Sequence, residues 1–157
     1  MGMKIQDAYN LERCLRKTKS LVFLSLPNNF IEKEILNILI NGLIGNKSIC
    51  HIDFSHNMID DSGVKIISKF LLITQILISL DLSFNQIRKN GPIYLSQSLK
   101  SNRSLQSLNL KHNRIEDNSG GKMCSILTQN STLKELNLSF NGLSNEVKFH
   151  IVCSKFL

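Results

Sequence analysis

His51, Asp53 and Ser55 come closest to a catalytic set in this 157-residue chain. A serine hydrolase needs a serine nucleophile, a histidine base and a carboxylate that orients the histidine. Here the three residues alternate within the short stretch HIDFS, so they project in a row from one face of an extended strand. A triad with its oxyanion hole does not arise from one strand face. We therefore interpret these side chains as part of a polar binding surface.

These residues lie in one of five copies of a repeated phrase. Residues 80–87 read LDLSFNQI, residues 108–115 read LNLKHNRI and residues 136–143 read LNLSFNGL. The full frame is L-x-x-L-x-L-x-x-N, and we number its first position slot 1. The frame starts at residues 21, 49, 77, 105 and 133. A period of 28 residues without insertion is typical of a repeat protein.

Each repeat changes its hydrophobic period partway along. Slots 4 and 6 are apolar, as Leu80 and Leu82 flank Asp81, which predicts a strand with one buried face. Slots 19 and 23 are apolar and four residues apart, as in Leu95 and Leu99, which predicts a helix with one buried stripe. Each unit is therefore predicted to be a strand, a turn and a helix, with neighbouring strands paired in parallel.

Slot 9 is asparagine in every repeat. A buried amide must find hydrogen-bond partners, and a tight turn leaves backbone groups that the amide can bond. We therefore expect these side chains to form a structural ladder along the solenoid and to have no catalytic role. The ladder consists of Asn29, Asn57, Asn85, Asn113 and Asn141.

The repeat resembles the leucine-rich repeat superfamily, in its long, ribonuclease-inhibitor-like class. The resemblance implies an α/β solenoid shaped as a horseshoe arc, with a parallel sheet on the concave face and helices on the convex face. We expect a single domain over residues 1–157, in which a partial repeat, 1–20, with a helix over 7–18, precedes the five frames. Neither end shows a capping unit, so we expect a stretch of a longer protein, or neighbours that cover the ends.

Charge is concentrated at the two ends of the predicted strands. The chain has a net charge of +7, and slot 27 holds Lys19, Lys47 and Arg103. Slots 12 and 13, at the opposite end of the strands, are mostly acidic. A basic edge suits an acidic protein partner or an acidic filament. We do not expect nucleic acid as a partner, because basic residues do not interleave with aromatic ones.

No metal, cofactor, small-molecule or membrane site is predicted. His56 and His112 share slot 8 two repeats apart, which places them about 10 Å from each other, too far to share one zinc ion. The four cysteines form no C-x-x-C pair, so we expect reduced thiols in the cytoplasm. The most apolar stretch, FLLITQILISL, is too short to span a bilayer and indicates a buried helix end running into a strand. Phe84 and Phe140, also at slot 8, are either exposed anchors or packing beneath the sheet.

The order of variants along the chain is most similar to the dynein regulatory complex subunit 5 family, also called the T-complex-associated testis-expressed protein 1 family. The matching stretches are DDSG at 60–63, NQIR at 85–88, SLNL at 107–110 and NGLS at 141–144. The resemblance implies a non-enzymatic scaffold in the nexin link of cilia and flagella. It also implies a location in the axoneme, next to other subunits of that complex.

Two sets of residues are predicted to contact protein partners. One is the concave column at slot 5, and the other is the acidic turns at slots 12 and 13. The column is Asp53, Asp81, Asn109 and Asn137, and the turns hold Asp60, Asp61, Glu116 and Asp117. We expect the turn side chains to face solvent, so that reversing their charge weakens docking and leaves the fold intact.

Other classes of protein use the same repeat. A Ran GTPase-activating protein would need an arginine finger, and Arg88 and Arg114 lie in the turns while no arginine occupies the concave slots. An innate-immune receptor would need a nucleotide-binding module, which these residues do not contain. A secreted ribonuclease inhibitor is disfavoured by the absence of tryptophan and the presence of only four cysteines. Another cytosolic leucine-rich repeat adaptor is a further alternative.

Overall fold

The computed structural model describes residues 2–144, and within them helices and strands alternate. The elements are α1 Ile5–Lys17, β1 Phe23–Ser25, α2 Lys33–Leu43, β2 His51–Asp53, α3 Asp61–Leu71, β3 Ser79–Asp81, α4 Gly91–Leu99, β4 Ser107–Asn109, α5 Asp117–Leu127 and β5 Glu135–Asn137. The predicted remainder of the fifth repeat, 145–157, lies outside the described residues, as does Cys153. Cys14 is exposed and Cys50 is half-buried, and both are free thiols.

The strands of the described residues form one parallel sheet in chain order, from β1 to β5. Equivalent slots pair, so that Leu24 lies beside Ile52, Leu80 beside Leu108, and Leu108 beside Leu136. Each helix returns the chain to the start of the next strand. These observations confirm the predicted α/β solenoid, with a parallel sheet backed by helices.

The core lies between the sheet and the helices. The slot-4 residues of the first four strands are buried, and so are the helix residues at slots 19 and 23. The buried helix residues are Leu39, Leu43, Ile67, Leu71, Leu95, Leu99, Met123 and Leu127. Two different periods in the sequence thus supply the two sides of one core, as the pattern predicts.

The first helix packs on the second through a glycine. α1 begins at Ile5, slightly before the predicted start, and it buries Ala8 and Leu15. A methyl group on Gly42 would lie 2.8 Å from the backbone oxygen of Glu12. A side chain at this position would therefore push α1 away from α2, so the close approach depends on glycine.

Candidate binding surface

The slot-9 asparagines tie each turn to the turn before it. Asn85 is buried, its Oδ1 accepts from the N–H of Ile59 at 2.9 Å, and its Nδ2 donates to the carbonyl of Phe54 at 2.9 Å. Nδ2 also donates within its own turn to the carbonyls of Leu82 and Ser83, both at 3.1 Å. The same pattern holds at Asn57, Asn113 and Asn141. Both the oxygen and the nitrogen of each of these amides are therefore bonded within the fold.

Asn29 differs from the other members of this ladder. It is half-buried, and its Nδ2 donates to the carbonyl of Pro27 in its own turn at 2.8 Å. Its backbone N–H donates to the Oδ1 of Asn57 at 3.0 Å. Asn29 therefore belongs to the ladder through its main chain, while its side chain bonds within its own repeat.

A second asparagine ladder lies at slot 26, between the end of each helix and the next strand. Asn102 accepts from the N–H groups of Ser104 and Leu105 at 3.0 and 2.8 Å. It donates to the carbonyls of Leu71 and Thr74 in the preceding repeat at 2.9 and 3.2 Å. Equivalent bonds are made by Asn46 and Asn130. This ladder is not predicted from the sequence, because Thr74 interrupts it in repeat two.

The residues of the concave column at slot 5 are half-buried, except for the exposed Asn137, and they are hydrogen-bonded. Asp81 accepts from the N–H of Ser83 and from the Nδ2 of Asn109, both at 2.8 Å. Asp53 accepts a backbone N–H in the same way, and also the hydroxyl of Ser25 at 3.0 Å. Asn109 and Asn137 each accept the N–H two residues on. The predicted binding column is therefore held in place within each turn and, at Asp53 and Asp81, between strands.

The concave face forms a polar depression over the last three strands. Its volume is about 500 Å³, and its charged or amide-bearing lining residues are Asp81, Asn109, Lys134, Glu135 and Asn137. The other lining residues are Ser79 and Ser107 at slot 3 and Leu108 and Leu136 at slot 4. Fixed amides and carboxylates beside small hydroxyl groups suit a polar protein surface better than an apolar small molecule.

Asp60 caps the N-terminus of α3. Its Oδ1 accepts from the N–H groups of Ser62 and Gly63 at 2.9 and 3.0 Å, and from the Ser62 hydroxyl at 2.6 Å. Partial burial acts to raise the pKa of Asp60, but these hydrogen bonds favour the charged form and outweigh it. The pKa of Asp60 is therefore lower than that of an ordinary aspartate.

Asp61 and Asp117 join each acidic turn to the next repeat. Asp61 accepts from the N–H of Arg88 at 2.8 Å, and Asp117 accepts from the N–H of Ser144 at 2.6 Å. Three of the four turn carboxylates therefore accept backbone hydrogen bonds, and reversing all four charges would remove these bonds together with the charge. Glu116 is exposed and makes no side-chain capping bond at α5. Glu116 is therefore the suitable position for testing the charge of this edge.

The slot-8 residues form a stack of rings at the edge where the strands end. Ring centroids are 4.0 Å apart between His56 and Phe84, 4.3 Å between Phe84 and His112, and 4.4 Å between His112 and Phe140. All four residues have a left-handed backbone, with φ between 51° and 54° for the first three and 55° for Phe140. Phe84 is 37% exposed and Phe140 is 66% exposed. The two phenylalanines are thus part of an exposed strip and do not pack beneath the sheet.

The triad-like residues are engaged elsewhere. The ring of His51 stacks on Phe23 with centroids 5.9 Å apart, and Asp53 bonds Ser25 and the backbone of Ser55. Ser55 is buried. Across residues 2–144, no three His, Cys, Asp or Glu side chains lie together in a way that would hold a metal ion. In that same part of the chain, every helix is too short or too polar to cross a membrane.

The chain belongs to the leucine-rich repeat family. The family described as "Leucine Rich repeat" matches residues 45–68, 75–96, 101–124 and 129–146, which together make up more than half of the chain. Each match lies within the repeating region that the sequence pattern indicates. A comparison with curated proteins finds no match.

Two solved structures share the fold over nearly the whole chain. Leiomodin-1 actin-binding site 2 superposes with a TM-score of 0.80 at 19% identity, covering 98% of this chain and 88% of that one. The tropomodulin C-terminal domain of Caenorhabditis elegans superposes with a TM-score of 0.75 at 17% identity, covering 94% of this chain and 90% of that one. Identities this low show a common fold and no more.

Proposed function

We propose that this chain is a non-enzymatic protein-interaction scaffold, and that it is a structural subunit of the nexin-dynein regulatory complex in the axoneme of cilia and flagella. Its partners are then other subunits of that complex or neighbouring axonemal proteins, and its location is the cytoplasmic cytoskeleton. Membership of the leucine-rich repeat family supports the scaffold role. The order of sequence variants from DDSG at 60–63 to NGLS at 141–144 supports the finer assignment.

The observation that carries the scaffold proposal is the preorganised concave face. Asp53 and Asp81 each accept a backbone N–H and a side-chain hydrogen bond from a neighbouring strand. Side chains that are already fixed lose little conformational entropy when a partner docks. A stiff polar sheet surface of this kind favours recognition of another protein.

Ran and actin are two alternative partners, and each is suggested by one observation. Arg88 and Arg114 are exposed in the turns, so a Ran-type GTPase regulator with an arginine finger is the alternative function. The solved leiomodin-1 structure is described as an actin-binding site, so actin is a second filament to be tested.

The test is to express the tagged chain in ciliated cells, image it, and identify co-purifying proteins by mass spectrometry. We expect axonemal staining and enrichment of regulatory-complex subunits. Uniform cytosolic or nuclear staining would contradict the ciliary assignment. Stimulated GTP hydrolysis by Ran would favour the regulator, and co-sedimentation with actin filaments would favour an actin-binding scaffold.

The concave face can be tested with a variant that keeps the backbone hydrogen bond within each turn and gives up the bond from the Asn109 amide to Asp81. Asp53→Asn combined with Asp81→Asn removes two charges, while Asn109 and Asn137 show that asparagine accepts the same backbone N–H at slot 5. We expect this double variant to fold normally and to lose co-purifying subunits. Lys122→Glu, at an exposed position on α5, is the control and should retain them. If the double variant and the native chain recover the same amount of these subunits, the slot-5 residues are not the docking surface.

A further inference from the structure

A groove with an apolar half and a basic half lies at the edge where α1, α2 and α3 end. Each half is a depression of about 320 Å³, and the two halves share Gly45, Asn46 and Lys47, so they are continuous. The apolar half is lined by Ile44, Phe70, Ile73 and Ile76, and the basic half by Lys17, Lys19 and Lys47. We call this feature the apolar-basic groove.

The fold does not require the exposed apolar residues beside this groove. Leu72 and Ile73 are 61% and 59% exposed, although the apolar stretch FLLITQILISL that contains them predicts burial. The residues at the same slots in the next repeat are Lys100 and Ser101, which are also exposed. Since that helix ends with polar residues, packing does not explain leucine and isoleucine here. Exposed apolar groups without a packing role are typical of an interaction surface.

Gly45, which lies between the two halves, has no side chain that could separate them. Ile44 is 46% exposed, and Gly45 follows it with a left-handed φ of +80°. A methyl group on Gly45 would meet nothing within 4 Å. A partner can therefore lie across Gly45 and reach the apolar and the basic half together.

The basic half is lined by three exposed lysines. Lys17, Lys19 and Lys47 are exposed, and none of them forms an ion pair within residues 2–144, where Arg16 pairs with Glu12. Lys17 lies in the last turn of α1, where a cation is favoured by the helix dipole. Lys19 and Lys47 lie beyond the helix ends, so the helix dipole stabilises their positive charges less. Mutual repulsion among the three ammonium groups would be relieved by an anionic partner.

We infer that the apolar-basic groove docks an acidic peptide segment of a partner protein. Glutamate or aspartate side chains lie against the three lysines, and a leucine-like side chain enters the apolar half beside Ile44 and Ile73. Nucleic acid fits less well, because the apolar half offers aliphatic groups and no exposed aromatic face for base stacking. A bilayer would need a broad apolar surface, and this groove is narrow and half charged. The inference rests on the proposed scaffold function only in requiring a protein partner.

The probe is a short synthetic peptide of glutamates around two central leucines, titrated into the full purified chain by fluorescence anisotropy. Two control peptides replace the leucines by serine or the glutamates by glutamine. We expect the parent peptide to bind with an affinity that falls as the salt concentration rises. We expect the affinity of each control peptide to be lower by a factor of about ten or more. Equal binding of all three peptides would overturn the inference.

Matched variants locate the binding on the chain. Lys19→Glu with Lys47→Glu should weaken binding about tenfold or more. Lys89→Glu with Lys122→Glu changes the net charge equally at other exposed positions and should leave the affinity unchanged. Ile73→Ser introduces the residue that repeat three carries at this slot and should weaken binding severalfold. Ile5→Ser, at a position 45% exposed on α1, should have no effect.

Three outcomes would overturn this assignment. Equal losses from the two lysine pairs would show non-specific attraction. Tighter binding of single-stranded RNA or of anionic lipid vesicles than of the peptide would assign the groove to nucleic acid or to a membrane. Self-association that Ile73→Ser abolishes, without peptide binding, would assign it to a second copy of the chain. The peptide experiment uses purified chain and free peptide, so absence of peptide binding would not contradict the axonemal proposal. Cytosolic staining would contradict the axonemal proposal and would not contradict peptide binding.

Discussion

Both ends of the strands are bordered by an asparagine ladder, and the two ladders differ in continuity. At the edge where the strands end, slot 9 is asparagine in every repeat from Asn29 to Asn141. At the edge where the helices end, slot 26 is asparagine in repeats one, three and four, whereas repeat two carries Thr74 and the partial repeat carries Thr18. The interruption lies directly after the exposed Leu72 and Ile73. We call the slot-9 edge the regular edge and the slot-26 edge the irregular edge. The regular edge holds the repeats together, and the irregular edge carries the apolar-basic groove.

This difference separates two kinds of residue in a repeat protein. A buried residue that recurs along the repeats makes the same hydrogen bonds each time, as Asn85 and Asn113 do, and its role is structural. An exposed residue that differs from its counterparts is not needed for those bonds. Ile73 differs in this way from Ser101, and it borders the groove. Departures from the repeat at exposed positions are therefore the better guide to partner binding.

Replacing Asn85 by alanine should have the largest effect on stability. The change leaves the N–H of Ile59 and the carbonyls of Phe54 and Leu82 without these partners in a buried turn. We expect the free energy of unfolding to fall by about 3 kcal/mol, measured by urea denaturation. Asn29→Ala is the matched control and should cost less, because the Asn29 side chain bonds within its own repeat. Equal losses would show that bonds between repeats do not dominate this edge.

Replacing Gly42 by alanine tests how the first helix supports the groove. The new methyl group would lie 2.8 Å from the backbone oxygen of Glu12, so α1 must move away from α2. We expect a loss of about 2 kcal/mol in thermal or urea unfolding, and weaker peptide binding because Lys17 and Lys19 move with α1. Gly121→Ala is the control, since a methyl group there meets nothing within 4 Å and alanine favours a helix. A Gly42→Ala chain as stable as the native one would contradict the close packing.

Much of the fold is predictable from the sequence, because one spacing recurs with little change. The alternation around Leu80 and the four-residue step from Leu95 to Leu99 correctly predict a buried strand face and a buried helix stripe. Repetition in register then predicts the parallel sheet. These features depend on residue type and local period alone.

The candidate sites are less predictable, because they depend on contacts between repeats. The bond from Asp61 to the N–H of Arg88 requires the three-dimensional offset between consecutive turns. The stack of Phe84 between His56 and His112 requires the left-handed backbone at slot 8. The exposure of Ile73 requires the position at which α3 ends. The spacing of apolar residues in the sequence predicts none of these three features.

Replacing Asp60 by alanine should have a smaller effect at the regular edge. The side chain caps α3, so we expect a loss of about 1 kcal/mol at neutral pH in urea unfolding. Because the pKa of Asp60 is lower in the folded state, its stabilising contribution is complete above the pKa of an unfolded aspartate. The contribution is lost as the pH falls through the folded-state pKa. The difference between native and variant stability should therefore shrink in acid.

Glu116→Ala is the control for this cap, because Glu116 is the equivalent residue before α5 and makes no capping bond. We expect little change in stability for that variant at any pH. A stability difference for Asp60→Ala that grows in acid would contradict the direction of the pKa shift. Equal effects of the two variants would assign the loss to the exposed charge and not to the cap.

Replacing Thr74 by asparagine should have the smallest effect and the opposite sign, because it completes the slot-26 ladder. By analogy with Asn102, the new amide would donate to the carbonyls of Leu43 and Asn46 and accept from the N–H groups of Ile76 and Leu77. We expect the free energy of unfolding to rise by about 0.5 kcal/mol, seen as a higher melting temperature. Thr74→Ser is the control and should not stabilise the chain. If Thr74→Asn lowers the melting temperature, the irregular edge has its own packing, and the interruption is then part of the fold rather than a departure available for binding.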